Sequence, residues 1–206
     1  MSRVFAVSFD YRCPFARNAH EHLLAGLAGG ADWDVSWMPF SLGQAHVAEG
    51  EPPVWDRPDD DSGLWALRAG VAVRDHFPDT FPAVHRALFA LRHDHGGHLR
   101  DPDAVTATLA EHLGPDDVGT VVEAVKSGEA LAVVRAEHEA SVAGPGVWGV
   151  PTFVTGEDRA VFVRVMDRNR GDTDDQRAHG VTTVERILDL LEWTDLNEFK
   201  ANRIPR

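Results

Sequence analysis

The sequence is poor in cysteine and in positive charge, and each shortage excludes a class of protein. Cys13 is the only cysteine in 206 residues, so the chain cannot form a disulfide within itself. This favours the cytoplasm, where structural disulfides are rare. Only Lys126 and Lys200 are lysines, and the net charge is -13 because 33 acidic residues outnumber 20 lysines and arginines. A chain this acidic is a poor ligand for nucleic acid or for an anionic membrane.

Long apolar runs and several catalytic motifs are also missing. No apolar run approaches the ~20 residues that a membrane span needs. The first residues, MSRVFAVSFDY, lack the long apolar region and the small-residue cleavage site of a secretory signal. The sequence has neither a Gly-rich phosphate loop nor a G-x-S-x-G nucleophile turn. We therefore expect a cytoplasmic globular protein that has no membrane or nucleic-acid partner.

The first forty residues predict a strand, a helix and a second strand. RVFAVSF, Arg3 to Phe9, is almost continuously apolar, as in a strand buried on both faces. Apolar residues then recur at every fourth position and stop at Gly29-Gly30, which predicts a helix. Alternation of polar and apolar residues predicts a second strand from Asp32 to Phe40. A strand, helix and strand at this spacing indicate a βαβ unit.

The middle of the chain predicts a long surface connection followed by four or five helices. Turn formers and charged residues fill Ser41 to Ser62. Asp101-Pro102 is typical of an N-cap followed by proline at the first helical position. Apolar stripes at helical spacing are formed by Leu64, Leu67 and Val71; by Phe81, Val84, Leu88 and Leu91; by Val105, Leu109 and Leu113; by Val118, Val121 and Val125; and by Leu131, Val134 and Val142.

The last third predicts a β-hairpin and a final helix. Strand patterns cover Val147 to Val154 and Ala160 to Met166, with a turn at GEDR between them. Thr182 and Glu185 fit a capping box that would open the helix. The predicted domains are therefore a discontinuous α/β domain, residues 1–61 and 144–206, and an all-helical insertion, residues 62–143.

Two segments carry a resemblance to a known family. FDYRCPFA ends the first strand, and GVWGVPTFV lies at the start of the hairpin. With the βαβ–helices–ββα order, they resemble the thioredoxin fold of the bacterial DsbA family, to which kappa-class glutathione transferases and 2-hydroxychromene-2-carboxylate isomerases are related. The resemblance implies a cis peptide bond before Pro151 and a reactive Cys13. It also implies substrate or thiol binding by Val150 and Pro151. The full set of predicted substrate- or thiol-binding residues is Pro14, Phe15, Ala16, Trp148, Val150 and Pro151.

One departure from the family pattern changes the expected chemistry. A DsbA-type oxidase carries a second cysteine where this chain has Ala16, so dithiol cycling within the chain is excluded. If Pro14 starts the helix and keeps the thiol exposed, the helix dipole would lower the pKa of Cys13 from about 8.5 toward ~3.5–7.5. Arg12 and Arg17 would add positive charge. Cys13 would then exchange disulfides with an external thiol.

We therefore expect a monothiol thiol-disulfide oxidoreductase. It would have no covalently bound cofactor and would use a low-molecular-weight thiol of the glutathione or mycothiol type. Two alternatives stay open: an isomerase or transferase that activates a bound glutathione-like thiol, and a non-catalytic binding protein in which Cys13 is inert. A homodimer is also compatible with the sequence.

Histidines are the remaining candidates. His93, His95 and His98 lie close together, but no cysteine or second spaced pair completes a zinc pattern, so we expect no metal site. His20 and His22 lie two residues apart on one helix and are expected at its surface. His138 is expected to be a partly buried, hydrogen-bonded core residue. Trp148 is expected either to line a substrate pocket beside Phe15 or to be plain core.

Overall fold

The computed structural model describes residues 2–156 and 159–195 of the chain. In these ranges one sheet has the strand order β2-β1-β3-β4, with β1 at Arg3–Phe9, β2 at Trp33–Pro39, β3 at Thr152–Thr155 and β4 at Arg159–Phe162. The helices are α1 (Pro14–Ala28), α2 (Leu42–Ala45), α3 (Leu64–His76), α4 (Phe81–His93), α5 (Pro102–Ala110), α6 (Pro115–Lys126), α7 (Glu129–Ala143) and α8 (Asp174–Glu192). The predicted mixed α/β fold is confirmed.

The described residues divide into two compact units. The first holds residues 2–9, 15–38, 142–156 and 159–195, and the second holds Asp10–Pro14 and Pro39–Ser141. The domain boundary predicted at residue 62 assigns residues 39–61 to the α/β part, whereas these residues group here with the helices. The short segment Asp10–Pro14 also belongs to the helical unit, although in the chain it joins β1 to α1 and includes the first residue of α1.

The core of the first unit lies between the sheet and its helices. β1 pairs with β3 in antiparallel orientation, with Val7 opposite Phe153, and β3 forms the predicted antiparallel hairpin with β4. Apolar residues of α1 and α8 pack on these strands because each helix presents one apolar face. The buried cluster consists of Phe5, Val7, Ala19, Leu23, Trp33, Phe153, Val184, Ile187, Leu188 and Leu191.

The second unit is built on helices α3 to α7, as their apolar stripes predict. Helix α3 packs against α4, α5 and α6. Asp101 caps α5 through its side chain, which accepts a hydrogen bond from the Asp103 N–H at 3.0 Å, and Pro102 is the first helical residue. The stripe assigned to α7 is wrong at its end, because Val142 is 47% exposed. His138 is buried, as predicted.

The N-cap of the last helix lies nine residues before the predicted one. Thr173 is its N-cap: its hydroxyl accepts a hydrogen bond from the Gln176 N–H at 3.2 Å, and Gln176 Oε1 accepts one from the Thr173 N–H at 3.3 Å. Thr182 lies inside the helix, where its hydroxyl donates to the Ala178 carbonyl. The prediction at Thr182 and Glu185 was wrong because the first two turns of α8 are polar and give little hydrophobic periodicity.

Two predicted strands were too long, and the predicted surface connection contains helical turns that the sequence did not indicate. Strand β3 starts at Thr152 instead of Val147, and β4 ends at Phe162 instead of Met166. The predicted surface connection holds α2 and a turn of 3-10 helix at Val54–Asp56. Two residues of the predicted GEDR turn, Glu157 and Asp158, lie outside the described residues. None of the described helices is long and apolar enough to cross a membrane.

Candidate functional site

Cys13 lies directly before the first residue of α1. Its N–H donates to the Asp10 carbonyl at 3.0 Å, which closes a turn between β1 and the helix. Pro14 then starts α1 and is itself exposed, whereas Ala16 is fully buried. Cys13 is only 9% exposed, so the expectation that Pro14 keeps the thiol exposed is wrong. The residue lies where the sequence placed it, but its side chain is largely shielded from solvent.

Asp10 organises the turn that leads to Cys13. Its side chain is fully buried and its carboxylate accepts hydrogen bonds from the Arg12 N–H (2.9 Å), from Arg12 Nη2 (2.6 Å) and from the Leu42 N–H (2.9 Å). Arg12 also pairs with Asp61 at 3.1 Å. The positive charge expected from Arg12 is therefore balanced by two carboxylates. A buried carboxylate needs this set of donors, since an unpaired one would be costly.

Helix α4 contacts both the side-chain hydroxyl and the backbone carbonyl of Tyr11. The Tyr11 hydroxyl lies 2.9 Å from His85 Nδ1, and the Tyr11 carbonyl accepts a hydrogen bond from His93 Nε2 at 3.0 Å. The Tyr11 ring also meets Phe89 edge-on, with centroids 4.9 Å apart. Burial raises the pKa of Tyr11 well above its usual range. These contacts fix the chain two residues before the cysteine.

His93, one of the three clustered histidines, therefore has a structural partner in Tyr11. In the described ranges, no group of three or more histidine, cysteine, aspartate or glutamate side chains is arranged to hold a metal ion. His93 lies four residues beyond Phe89 and eight beyond His85, so the three rings follow one face of α4. Sequence reasoning noticed the histidines but had no signal that linked this face to Tyr11.

The loop before β3 is attached to the end of β1. The Val150–Pro151 peptide bond is cis, and Val150 is 3% exposed. The Ser8 hydroxyl donates to the Gly149 carbonyl at 3.2 Å and accepts from the Thr152 N–H at 2.8 Å. A hydroxyl can do both at once, so one serine bridges the two sides of the loop. Sequence reasoning missed Ser8, although a polar residue inside an apolar strand was a usable signal.

His20 supports the same end of β1 from α1. It is fully buried, and its Nε2 donates to the Ser8 carbonyl at 3.1 Å. Burial lowers the pKa of His20 from 6.5 to about 4, so the imidazole is neutral at pH 7 with its proton on Nε2. His22 is also buried, with its Nε2 3.2 Å from the Asp167 carbonyl. The surface positions expected for both histidines are therefore wrong.

Trp148 and Phe15 belong to an exposed surface in the first unit, which we call the arginine–aromatic surface: Phe15, Trp148, Phe162 and Arg164. Trp148 is 68% exposed, so it is not core, and its ring lies 4.4 Å from the Phe162 ring. The Arg164 guanidinium lies over the rings of Phe15 at 5.2 Å and Phe162 at 5.8 Å. Sequence reasoning named both Trp148 and Phe15 but missed Arg164 and Phe162, which connect them.

The other arginine expected near the thiol is occupied elsewhere. Arg17 is buried and donates a hydrogen bond to Glu21 at 3.2 Å, and Glu21 also accepts a hydrogen bond from Arg168 at 2.9 Å.

Of the seven predicted site residues, Cys13 and Pro14 belong to the second unit. The other five belong to the first: Phe15, Ala16, Trp148, Val150 and Pro151.

Comparison with known proteins gives matches in structure but not in sequence. Neither a family model nor a curated protein matches the chain. Cytosolic disulfide reductase DsbM from Pseudomonas aeruginosa, solved with GSH, is 16% identical with a TM-score of 0.59, over 88% of this chain and 99% of that one. The thiol-disulfide exchange protein alpha-DsbA2 from Wolbachia pipientis is 14% identical with a TM-score of 0.59, over 93% and 82%.

A third similar structure is a thioredoxin-like oxidoreductase from Silicibacter pomeroyi, 20% identical with a TM-score of 0.55, over 89% of this chain and 86% of that one. Identity this low establishes architecture, whereas chemistry has to be argued from the site. All three likenesses cover most of both chains. The chain therefore has the DsbA-like thioredoxin fold.

Proposed function

We propose that this protein is a monothiol thiol-disulfide oxidoreductase that acts through Cys13 with an external low-molecular-weight thiol. The observation that carries the proposal is the position of the only cysteine, directly before α1 in a DsbA-like thioredoxin fold. The N-terminal amides and the dipole of a 15-residue helix favour negative charge at that end. In this proposal, these two features stabilise the Cys13 thiolate against the cost of its burial.

The proposed reaction has two exchange steps. The Cys13 thiolate attacks one sulfur of a small disulfide, forming a mixed disulfide and releasing the other half as a thiolate. A second small thiolate then attacks the mixed disulfide, releases the Cys13 thiolate and leaves as a new disulfide. No electrons are gained or lost overall, because the second small thiol is oxidised while the original disulfide is reduced. Without a second cysteine, this resolving thiol comes from outside the chain.

The anchored turn supports this chemistry by fixing the backbone around the cysteine. Asp10 and Tyr11 hold the chain on one side of Cys13, and α1 holds it on the other. In this proposal, the backbone of Val150 hydrogen-bonds the incoming thiol or disulfide, with Pro151 holding that geometry. A cytoplasmic location fits a lone cysteine and the likeness to DsbM, which is described as cytosolic.

The test is mass spectrometry of the native protein treated with oxidised glutathione. We expect one glutathione adduct, located on Cys13 and removed by added reduced glutathione, and none with Cys13→Ser. Rates of iodoacetamide alkylation measured against pH give the pKa of the thiol in the same protein. A value near ~8.5, with no adduct on the native chain, would exclude the proposal.

The low exposure of Cys13 favours a second candidate, an isomerase or transferase in which α1 activates the thiolate of a bound glutathione-like molecule. A cysteine that is 9% exposed suits a wall of such a site better than a nucleophile open to solvent. This candidate predicts that Cys13→Ser still binds the small thiol with unchanged affinity. Isothermal titration of reduced glutathione into native protein and Cys13→Ser is combined with the adduct measurement above: equal binding without a Cys13 adduct supports this candidate, whereas a Cys13 adduct supports the first.

A further inference from the structure

The arginine–aromatic surface contains a guanidinium without an acidic partner. Arg164 makes no hydrogen bond or ion pair with any residue in the part of the chain that the structure describes, and it is exposed. It lies over the rings of Phe15 and Phe162. A guanidinium that stacks on rings keeps its N–H donors in its own plane, directed away from the rings. These donors match the two oxygens of a carboxylate.

Arg68 shows how the same protein completes such an arrangement. Its guanidinium lies over the Trp65 ring at 5.1 Å, and its Nη2 donates to Asp59 Oδ1 at 3.0 Å. The aromatic ring packs against the guanidinium, and the chain itself supplies the carboxylate that pairs with it. Arg164 has the rings but lacks the carboxylate among the described residues. The chain has 33 acidic and 20 basic residues, so carboxylates are plentiful, and an arginine that pairs with none of those described is able to bind an anion from outside the chain.

We infer that Arg164 binds the carboxylate of a small thiol or disulfide, with the exposed face of Trp148 packing against the rest of the ligand. This rests on the proposed function and narrows it, because it selects a carboxylate-bearing thiol over an uncharged sugar thiol. Phe15 is joined to Cys13 through Pro14, so Arg164 stacks on the first turn of the helix that Cys13 precedes. Trp148 lies two residues before the cis bond at Val150–Pro151.

The probe is S-methylglutathione, which carries carboxylates but cannot exchange disulfides. Binding is measured by isothermal titration, and by Trp148 fluorescence compared with Trp148→Phe. We expect Arg164→Gln to weaken binding about tenfold, since a bidentate charge-assisted pair is among the stronger hydrogen-bonded contacts. The matched control is Arg186→Gln, which removes the same charge from an exposed site on α8 and should change the affinity less than about twofold. The dimethyl ester of the probe should bind the native protein and Arg164→Gln equally.

Three outcomes would overturn the inference. These are equal affinity of native protein and Arg164→Gln for the acid, equal effects of the two arginine variants, and tighter Arg164-dependent binding of an acidic peptide than of the small thiol. All measurements are repeated in Cys13→Ser, so that they do not depend on exchange. Arg164-dependent binding without a Cys13 adduct would refute the proposed function alone. A Cys13 adduct without Arg164-dependent binding would refute this inference alone.

Discussion

The buried histidine of α1 should make the protein sensitive to mild acid. His20 is fully buried and its pKa is lowered to about 4 by burial, against 6.5 for an exposed histidine. The unfolded chain therefore binds a proton at His20 more readily than the folded chain does. Because the unfolded state holds more protons between these two pKa values, stability falls as the pH falls through this window, and the loss is complete below pH 4.

The size of the effect follows from the two pKa values. A difference of about 2.5 pKa units corresponds to about 3 kcal/mol once both states are fully protonated. At pH 5 the loss due to His20 is about 2 kcal/mol, and at pH 7 it is only about 0.2 kcal/mol. A fall of about 2 kcal/mol is large beside the ~5–15 kcal/mol that stabilises a typical domain.

The assay compares the native protein with His20→Gln by urea denaturation at pH 7 and pH 5. Glutamine can donate its Nε2 hydrogen to the Ser8 carbonyl but does not titrate. It also loses the ring contacts of His20 with Phe9 and Trp37, so the variant should be less stable at pH 7. Between the two pH values it should lose about 2 kcal/mol less than the native protein. His22 and His138 also have pKa values lowered by burial, but they titrate in both proteins and cancel.

Equal losses in the two proteins would refute this reasoning. If His20→Gln does not fold, NMR titration of the His20 ring in the native protein gives the pKa directly. A value near 6.5 would show that the imidazole is solvated and that its hydrogen bond to Ser8 does not depend on the neutral form.

Two further predictions use matched pairs of variants, each measured by urea denaturation. A methyl group at Gly70 would lie within 3 Å of the Tyr11 ring, so Gly70→Ala should lower the free energy of unfolding by ~1–3 kcal/mol. A methyl group at Gly119 meets nothing within 4 Å, so Gly119→Ala should raise the free energy of unfolding by ~0.5–1 kcal/mol. A gain in stability from both variants would show that the Tyr11 ring moves aside at little cost. Thr173→Ala should cost ~1 kcal/mol because it removes the N-cap of α8, whereas Thr182→Ala, inside the helix, should be neutral or stabilising by up to about 0.5 kcal/mol. The reverse order would place the start of the helix at the later threonine.

The sequence was sufficient for the fold where local patterns and tertiary packing agree. The continuous apolar run gave β1, and Asp101-Pro102 gave the start of α5 to the residue. The start of α8 could not be found in this way, because the deciding hydrogen bonds join polar residues in a segment without apolar periodicity. Hydrophobic patterns report which face is buried, and they say little where a helix begins in solvent.

For the candidate site, sequence reasoning located the cysteine but not its surroundings. The supports at Ser8, Asp10 and Tyr11 depend on partners that are between 32 and 144 positions away in the chain, and only the fold brings them together. Arg12 shows a different limit, because a residue's position in the sequence does not tell which charge its side chain pairs with. Its charge was expected to act on the thiol, but a carboxylate two residues away and another from Asp61 take it up.

The segment Asp10–Pro14 has a consequence for protein engineering. The helical unit is not an accessory that can be exchanged for a loop or for the insertion of another protein, because it contains the peptide that carries Cys13 and the partners that fix that peptide. A chimera that keeps only the sheet and its flanking helices would retain the cis bond at Val150–Pro151 but lose the anchors at Leu42, His85 and His93. Any transplant of this site into another protein therefore has to move the helical unit together with the cysteine.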